Sequence, residues 1–277
     1  MNLNTLTAAE LASFDRAQTL VLVPAGSTEP HGPHLPLGTK AYLAEALAFE
    51  IGQHLKDAGL KYLVAPVFPY LPCQASLGIE GALTISPRTA CEILYEIGAA
   101  FHRDGFRNLA FIHLSTSPDA TKAIMTACDE LSQLNGMTTI DPLAAVRFTN
   151  PPEISAALKQ QGTDPLSELH GDARETGAML YLDPDLVKTD CSAILPPRII
   201  NLPWESLKGN FSWKDRGAVD GYAGSPAAAT PKLGQLFLEE LGRIGAESIV
   251  SVFNGGQAPT LPLSARLFLK LVSLDDL

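Results

Sequence analysis

The chain has 277 residues, a formal net charge of −10 at neutral pH, 46% hydrophobic residues and 18% charged ones. That composition supports a sizeable buried core and excludes intrinsic disorder. The acidic balance, with no basic run anywhere, excludes a nucleic-acid surface, because phosphate contacts need clustered Lys and Arg.

No apolar stretch approaches the roughly 20 residues that a bilayer span requires. The opening residues MNLNTLTAAELASFD lack the basic and apolar regions of a secretory signal. Residues 19–23 (TLVLV) then read as a buried first strand. Residues 41–56 carry Leu43, Leu47, Ile51 and Leu55 at helical spacing. Residues 62–67 read as a second strand, followed by a long Pro- and Gly-rich loop to Ser86. A helix over 87–103 opens after Ser86 as N-cap, with Pro87 at its first position. Residues 108–113 read as a third strand, 119–134 as the helix after it and 137–140 as a short fourth strand. The repetition predicts an α/β fold with a mainly parallel central sheet and helices on both faces. Ligands of such sheets gather beyond the carboxyl ends of the strands, and Glu29, Ser76 and His113 all fall there.

Beyond residue 140 the pattern is less regular. A helix over 175–182 follows the turn HGDAR. The stretch 190–215 reads as a loop or inter-subunit arm, with Pro196, Pro197, Pro203, Trp204 and Trp213 in its 195–213 part. A last long helix is expected over 231–244 and an edge strand over 249–253. No linker or repeat divides the chain, so residues 1–277 read as one domain. Cys73, Cys91, Cys128 and Cys191 lie far apart without C-x-x-C spacing and read as reduced thiols of a cytoplasmic protein. Cys73, on the Ser76 loop, is the best placed of them for a lone catalytic thiol.

The most informative stretch is residues 23–40, VPAGSTEPHGPHLPLGTK. Glu29 and His31 sit two apart on a loop directly after a buried strand, where a carboxylate and an imidazole could ligate a divalent metal. The segment resembles the signature of the creatininase (creatinine amidohydrolase) family, approximately P-x-G-x-x-E-x-H-G-x-H-L-P-x-x-T-D. Pro24, Gly26, Glu29, His31, Gly32, His34, Leu35, Pro36 and Thr39 match in register. Lys40 stands where the family places an Asp that bridges two metal ions. Residues 76–86 resemble the family's substrate loop. Residues 105–117 are similar to G-F-x-x-[apolar]4-N-G-H-G-G-N, with His113 at the Asn position and Ser115 at the metal-binding His. Residues 170–177, HGDARETG, resemble H-A-G-x-x-E-T-S, and 217–234 resemble the closing glycine-rich segment. The resemblance implies a compact creatininase-like α/β fold, hydrolysis of cyclic amides and other C–N bonds, and a homo-oligomer, often a hexamer.

Lys40 governs the site reading. An ammonium about 4 Å from a divalent ion, at an effective dielectric of about 20, is repelled by about 8 kcal/mol. The sequence therefore predicts no cofactor: the ammonium takes the place of the ion and neutralises Glu29 and Glu175. Ser115, a poor metal ligand, removes a second element of the metal centre. The candidate catalytic residues are Lys40, His170, Glu175, Ser115 and Glu29; His170 aligns with a family proton shuttle, and an imidazole suits that work. A Ser115 nucleophile activated by Lys40 is a sharper variant. His31, Ser76, His113 and Asp172 are candidate substrate-binding residues, Asp172 as an acid compensating for the lost bridge. His34 reads as fixing the loop. The leading expectation is an enzyme acting on a small molecule at a C–N bond. One alternative is a non-catalytic binding or assembly homologue. The other is a hydrolase that retains Zn, Mn or Fe on Glu29, His31 and Glu175 with rearranged ligands.

Overall fold

The computed structural model describes residues 1–147 and 149–275. Four strands, β1 (Leu20–Pro24), β2 (Tyr62–Val64), β3 (Asn108–Ile112) and β4 (Thr138–Ile140), form one sheet in the order β2-β1-β3-β4. Every pairing is parallel, with Leu20 opposite both Tyr62 and Asn108. The α/β architecture expected from the sequence is therefore present. The second strand is shorter than expected and the third ends one residue before His113.

Alternation along β1 explains why the sheet is buried on both sides. Leu20 and Leu22 enter one core with α1 (Thr39–Asp57), α4 (Ala173–Leu182) and α5 (Pro231–Phe253). Val21 and Val23 enter the other with α2 (Pro87–Arg103) and α3 (Pro118–Leu131). A strand covered on both faces reads as the continuous apolar run seen here. Helix α2 starts as its sequence dictates: the Ser86 hydroxyl accepts the Thr89 amide and Pro87 occupies the first turn.

The expected edge strand over 249–253 is instead the end of α5. Ile249 and Val250 favour extended structure, but Ile249 extends the buried stripe of Leu238, Leu241 and Gly245 at helical spacing. Burial of that stripe outweighs local preference. The 190–215 stretch is largely irregular, with short helices at Thr189–Ser192 and Leu202–Leu207. Among the described residues no helix is long and apolar enough to cross a membrane.

Strand order reverses around β1, so the loops after β1 and β3 diverge at the carboxyl edge and leave a crevice there. The N-terminal turns of α1 and α4 bring Lys40 and Glu175 to it. Their separation depends on how closely α4 meets α5. A Cβ added at Gly234 would lie 2.0 Å from the Gly177 carbonyl carbon and oxygen, so backbone touches backbone. Gly234→Ala is expected to cost about 3 kcal/mol, as overpacking does, and thermal melts will read it. An unchanged melting temperature would show that the two helices are free to separate.

Candidate active site

Glu29 lies on the loop after β1 and is almost wholly buried. Its carboxylate accepts the Ser27 hydroxyl at 2.6 Å and that of Ser76. Burial raises its pKa, but the His170 and His31 rings and the two hydroxyls together hold it below the usual carboxylate value. Two residues on, the His31 ring is fully buried. Its Nδ1 lies 2.9 Å from the Glu29 carbonyl oxygen, so Nδ1 carries the proton and donates. Its Nε2 then presents a lone pair and has no hydrogen-bond partner among the described residues; Glu175 Oε2 is 3.7 Å away. Burial, and then the neighbouring His170, push the His31 pKa down to about 3.

His170 enters from the turn before α4. Its Nε2–H donates to the Pro30 carbonyl at 2.8 Å, and the same nitrogen lies 3.9 Å from Glu29 Oε2. The two imidazoles face each other at 4.1 Å between centroids. Ligand atoms of Glu29, His31 and His170 all lie within 4.8 Å of one another, close enough to share a metal ion.

Lys40, in the first turn of α1, is 5% exposed and bonds directly to Glu175 Oε1. It thus meets Glu175 and not Glu29. A buried Lys at a helix start is doubly unfavourable, because the helix dipole is already positive there. The other Glu175 oxygen accepts the Gly171 amide at 2.8 Å. Gly171 has φ +54°, and a Cβ there would lie 2.9 Å from the His31 carbonyl oxygen. Burial raises the Glu175 pKa, but the Lys40 ammonium, then His31 and His170, carry it far below the carboxylate range.

The other sequence candidates divide. Ser76 reaches Glu29 and belongs to the cluster. Asp172 is the N-cap of α4: it accepts the Arg174 and Glu175 amides and pairs with the Arg174 guanidinium. Its acid is thereby committed to starting the helix that presents Glu175. The Ser115 hydroxyl accepts the Ser117 amide; among the described residues it has no bond to Lys40 or His113. The His113 Nε2 meets Asp141 at 3.2 Å, and Asp141 is clamped by Arg147. His113 thus belongs to a separate buried group. His34 Nε2 bonds the Thr176 hydroxyl at 2.8 Å, tying the loop to α4. The Cys73 thiol is pushed up to about 12 by burial and then by Glu29, which removes it as a nucleophile.

Two contributors were missed. Ser27 holds Glu29 and lies within the informative stretch, two residues before it, where side-chain spacing could have found it. Trp213 stacks on His170 at 5.0 Å, and nothing in the sequence brings those two together.

Comparison with known proteins places this geometry in a family. The Creatininase family model, described as creatinine amidohydrolase, matches residues 4–249. The chain belongs to that family. It is 28% identical over 198 residues to a mycofactocin precursor peptide peptidase of Mycolicibacterium smegmatis, which covers 68% of this chain and 66% of the relative. It is 31% identical over 101 residues to the mycofactocin precursor peptide peptidase of Mycobacterium tuberculosis, covering 35% of this chain and 39% of that one. The chain therefore spans just under two thirds of the first relative and well under half of the second. Among solved structures, a manganese creatininase superposes with TM-score 0.70 at 22% identity, covering 91% of this chain and 98% of its own. A creatininase variant of Zn–Zn type superposes with TM-score 0.68 at 22% identity over the same shares.

These findings correct the expectation of a cofactor-free protein. Manganese and zinc occur in proteins of this fold, and the chain supplies a converging Glu29–His31–His170 group. The observations point to a divalent metal. The expectation failed because it placed the ammonium at the ion's position beside Glu29, whereas Lys40 is bound to Glu175. The ligand group also contains His170 rather than the Glu175 anticipated for a metal-bound form.

Two predictions follow from these electrostatics. Lys40→Met strands a buried carboxylate and is expected to cost about 3–5 kcal/mol in denaturant melts, whereas Lys40→Met with Glu175→Gln recovers most of that loss. A single variant as stable as the parent would show the pair to be dispensable. The second concerns acid. His34 and His113 are held neutral, both at about 4, by burial foremost; Arg147 adds to the effect on His113. Their folded pKa values lie below the ordinary 6.5. Between those values the unfolded chain binds protons that the folded chain refuses. Stability is complete above about pH 6.5 and falls as pH drops to about 4, by roughly 3 kcal/mol for each ring at most. Melts of the His113→Asn variant should lose the His113 part of this slope.

Proposed function

We propose that the protein is an amidohydrolase that cleaves a C–N bond and holds one divalent ion on Glu29, His31 and His170, the last joining only when its proton moves from Nε2 to Nδ1 and Nε2 leaves the Pro30 carbonyl. The observation that carries this reading is His31 Nε2, a buried lone pair without a partner in a ring whose other nitrogen is fixed by a carbonyl. Orientation of a metal-binding imidazole through its second nitrogen is the usual arrangement at metal sites. Bound there, a divalent cation supplies Lewis-acid polarisation of the scissile carbonyl. Glu29 contributes the charge that attracts it, and Ser27 and Ser76 hold that carboxylate in direction.

In this reading Lys40 stands at the place of the family's bridging carboxylate, and its ammonium with Glu175 replaces the second cation. A cleft reaches this pair between the sheet and α5, lined by Leu114, Leu143, Val146, Leu169 and Phe237 beside Lys40 and Glu175. Its free volume of about 40 Å³, and the Thr116, Arg147, Thr149 and Arg174 that also line it, suit a small polar group at the ion pair rather than the body of a substrate. The substrate is an amide that fits a narrow cleft, either a small molecule or the end of a peptide. The peptide arm is supported by the relatives described as precursor peptide peptidases. The four free thiols fit a reducing, cytoplasmic setting. Exposed Ile194, Ile199, Trp204, Leu207 and Phe211 support self-association through the 190–215 stretch.

Metal analysis of the purified protein should find one Mn or Zn per chain. Glu29→Gln or His31→Ala should weaken binding by more than about 100-fold, beyond the 10–100-fold typical of losing a group that merely orients a ligand. Hydrolysis of cyclic amides and short peptides, assayed side by side, should stop on chelation and return with Mn. Hydrolysis that is indifferent to chelation, or a protein that takes up no divalent ion, would overturn the reading.

A further inference from the structure

The His170 ring is enclosed between two planar groups. His31 covers it at 4.1 Å, tilted by 34°, and the Trp213 indole stacks at 5.0 Å and 18°. The Arg216 guanidinium lies over the indole in turn, 5.3 Å from its centroid, so a column of four flat groups runs from Arg216 to His31. Trp213 is 7% exposed although it comes from an irregular stretch. Its backbone is pinned at both ends: its amide donates to the Ala75 carbonyl at 2.7 Å and its carbonyl accepts the Ala218 amide at 2.8 Å. The first bond ties it to the turn that carries Ser76, and so to Glu29.

The stack does work that hydrogen bonding leaves undone. Among the described residues His170 makes one side-chain hydrogen bond, from Nε2 to the Pro30 carbonyl. One in-plane bond does not fix the tilt of a ring about it, and a flip puts ring carbons where the nitrogens were. Flat groups on the faces remove that freedom. We infer that Trp213 is a positioning residue, which holds the His170 ring in one orientation and thereby fixes the nitrogen that it turns toward Pro30 and Glu29. The orientation is a property of the metal-free chain and stands apart from the proposed metal site.

The test separates the two. In nitrogen-15 imidazole spectra of the metal-free protein, which has six histidines, His170 should show a single Nε2–H tautomer. Trp213→Phe keeps a flat face and should keep that spectrum, whereas Trp213→Leu keeps apolar bulk without a face and should show exchanging tautomers. An unchanged Leu spectrum overturns the inference, and so does a Phe variant that folds but behaves like Leu. If the parent takes up no zinc, the metal reading falls and the spectra still decide this one. If Trp213→Leu does not fold, fluorescence decides. The chain has two tryptophans, and in a Trp204→Phe protein the Trp213 emission maximum should shift on His170→Asn, because the flat ring packed on the indole is replaced by a polar amide. Unaltered emission overturns the contact.

Discussion

The site is built around one buried ion pair, Lys40 with Glu175. An ammonium in the first turn of a helix opposes the dipole by about 0.3–1 kcal/mol, and removing it from water costs several more. It persists because the fold delivers a carboxylate to it. Asp172 starts α4, Gly171 gives its amide to the second Glu175 oxygen, and the glycine contact between α4 and α5 sets the depth of the helix. Packing and electrostatics are thus one problem here. A shift of α4 that a surface helix would tolerate exposes an uncompensated charge.

The loop after β1 sets the chemistry through its backbone as much as through its side chains. Consecutive carbonyls take the two imidazole protons: Glu29 accepts from His31 and Pro30 accepts from His170. Each bond determines which nitrogen keeps its lone pair. Burial then holds His31 neutral, since its charged form would lose hydration with too little attraction to replace it. A carboxylate and a neutral imidazole two residues apart are, in effect, prepared for a cation before one arrives.

Much of this was legible in the sequence, and the exceptions share a cause. The strands were readable because residues buried on both faces leave continuous apolar runs, and α2 because Ser86-Pro87 announces a start. Glu29, His31, Lys40 and Glu175 were readable as a set because the family motifs mark them. Their pairing was legible only in part: the sequence set Lys40 against both Glu29 and Glu175, and which of the two it meets depends on how α1 and α4 cross the crevice. The strand expected at 249–253 failed for a related reason: β-branched residues carry a local preference, while the stripe that buries Ile249 is defined only by its neighbours in space. Trp213 was invisible for the same reason. Nothing near it in the chain says that its ring reaches His170.

The location of the ion pair also bears on metal content. With the His31 ring neutral, Lys40 cancels the charge of Glu175 and leaves that of Glu29. Two hydroxyls and the nearby His170 ring lower the cost of burying that carboxylate. One ammonium cannot offset two carboxylates wherever it sits; drawn fully to Glu175, it leaves the remaining charge at Glu29. Substituting the bridging residue therefore need not abolish metal chemistry. In the proposed reading it divides the family's two-ion centre into a half neutralised by the chain itself and a half left to one ion.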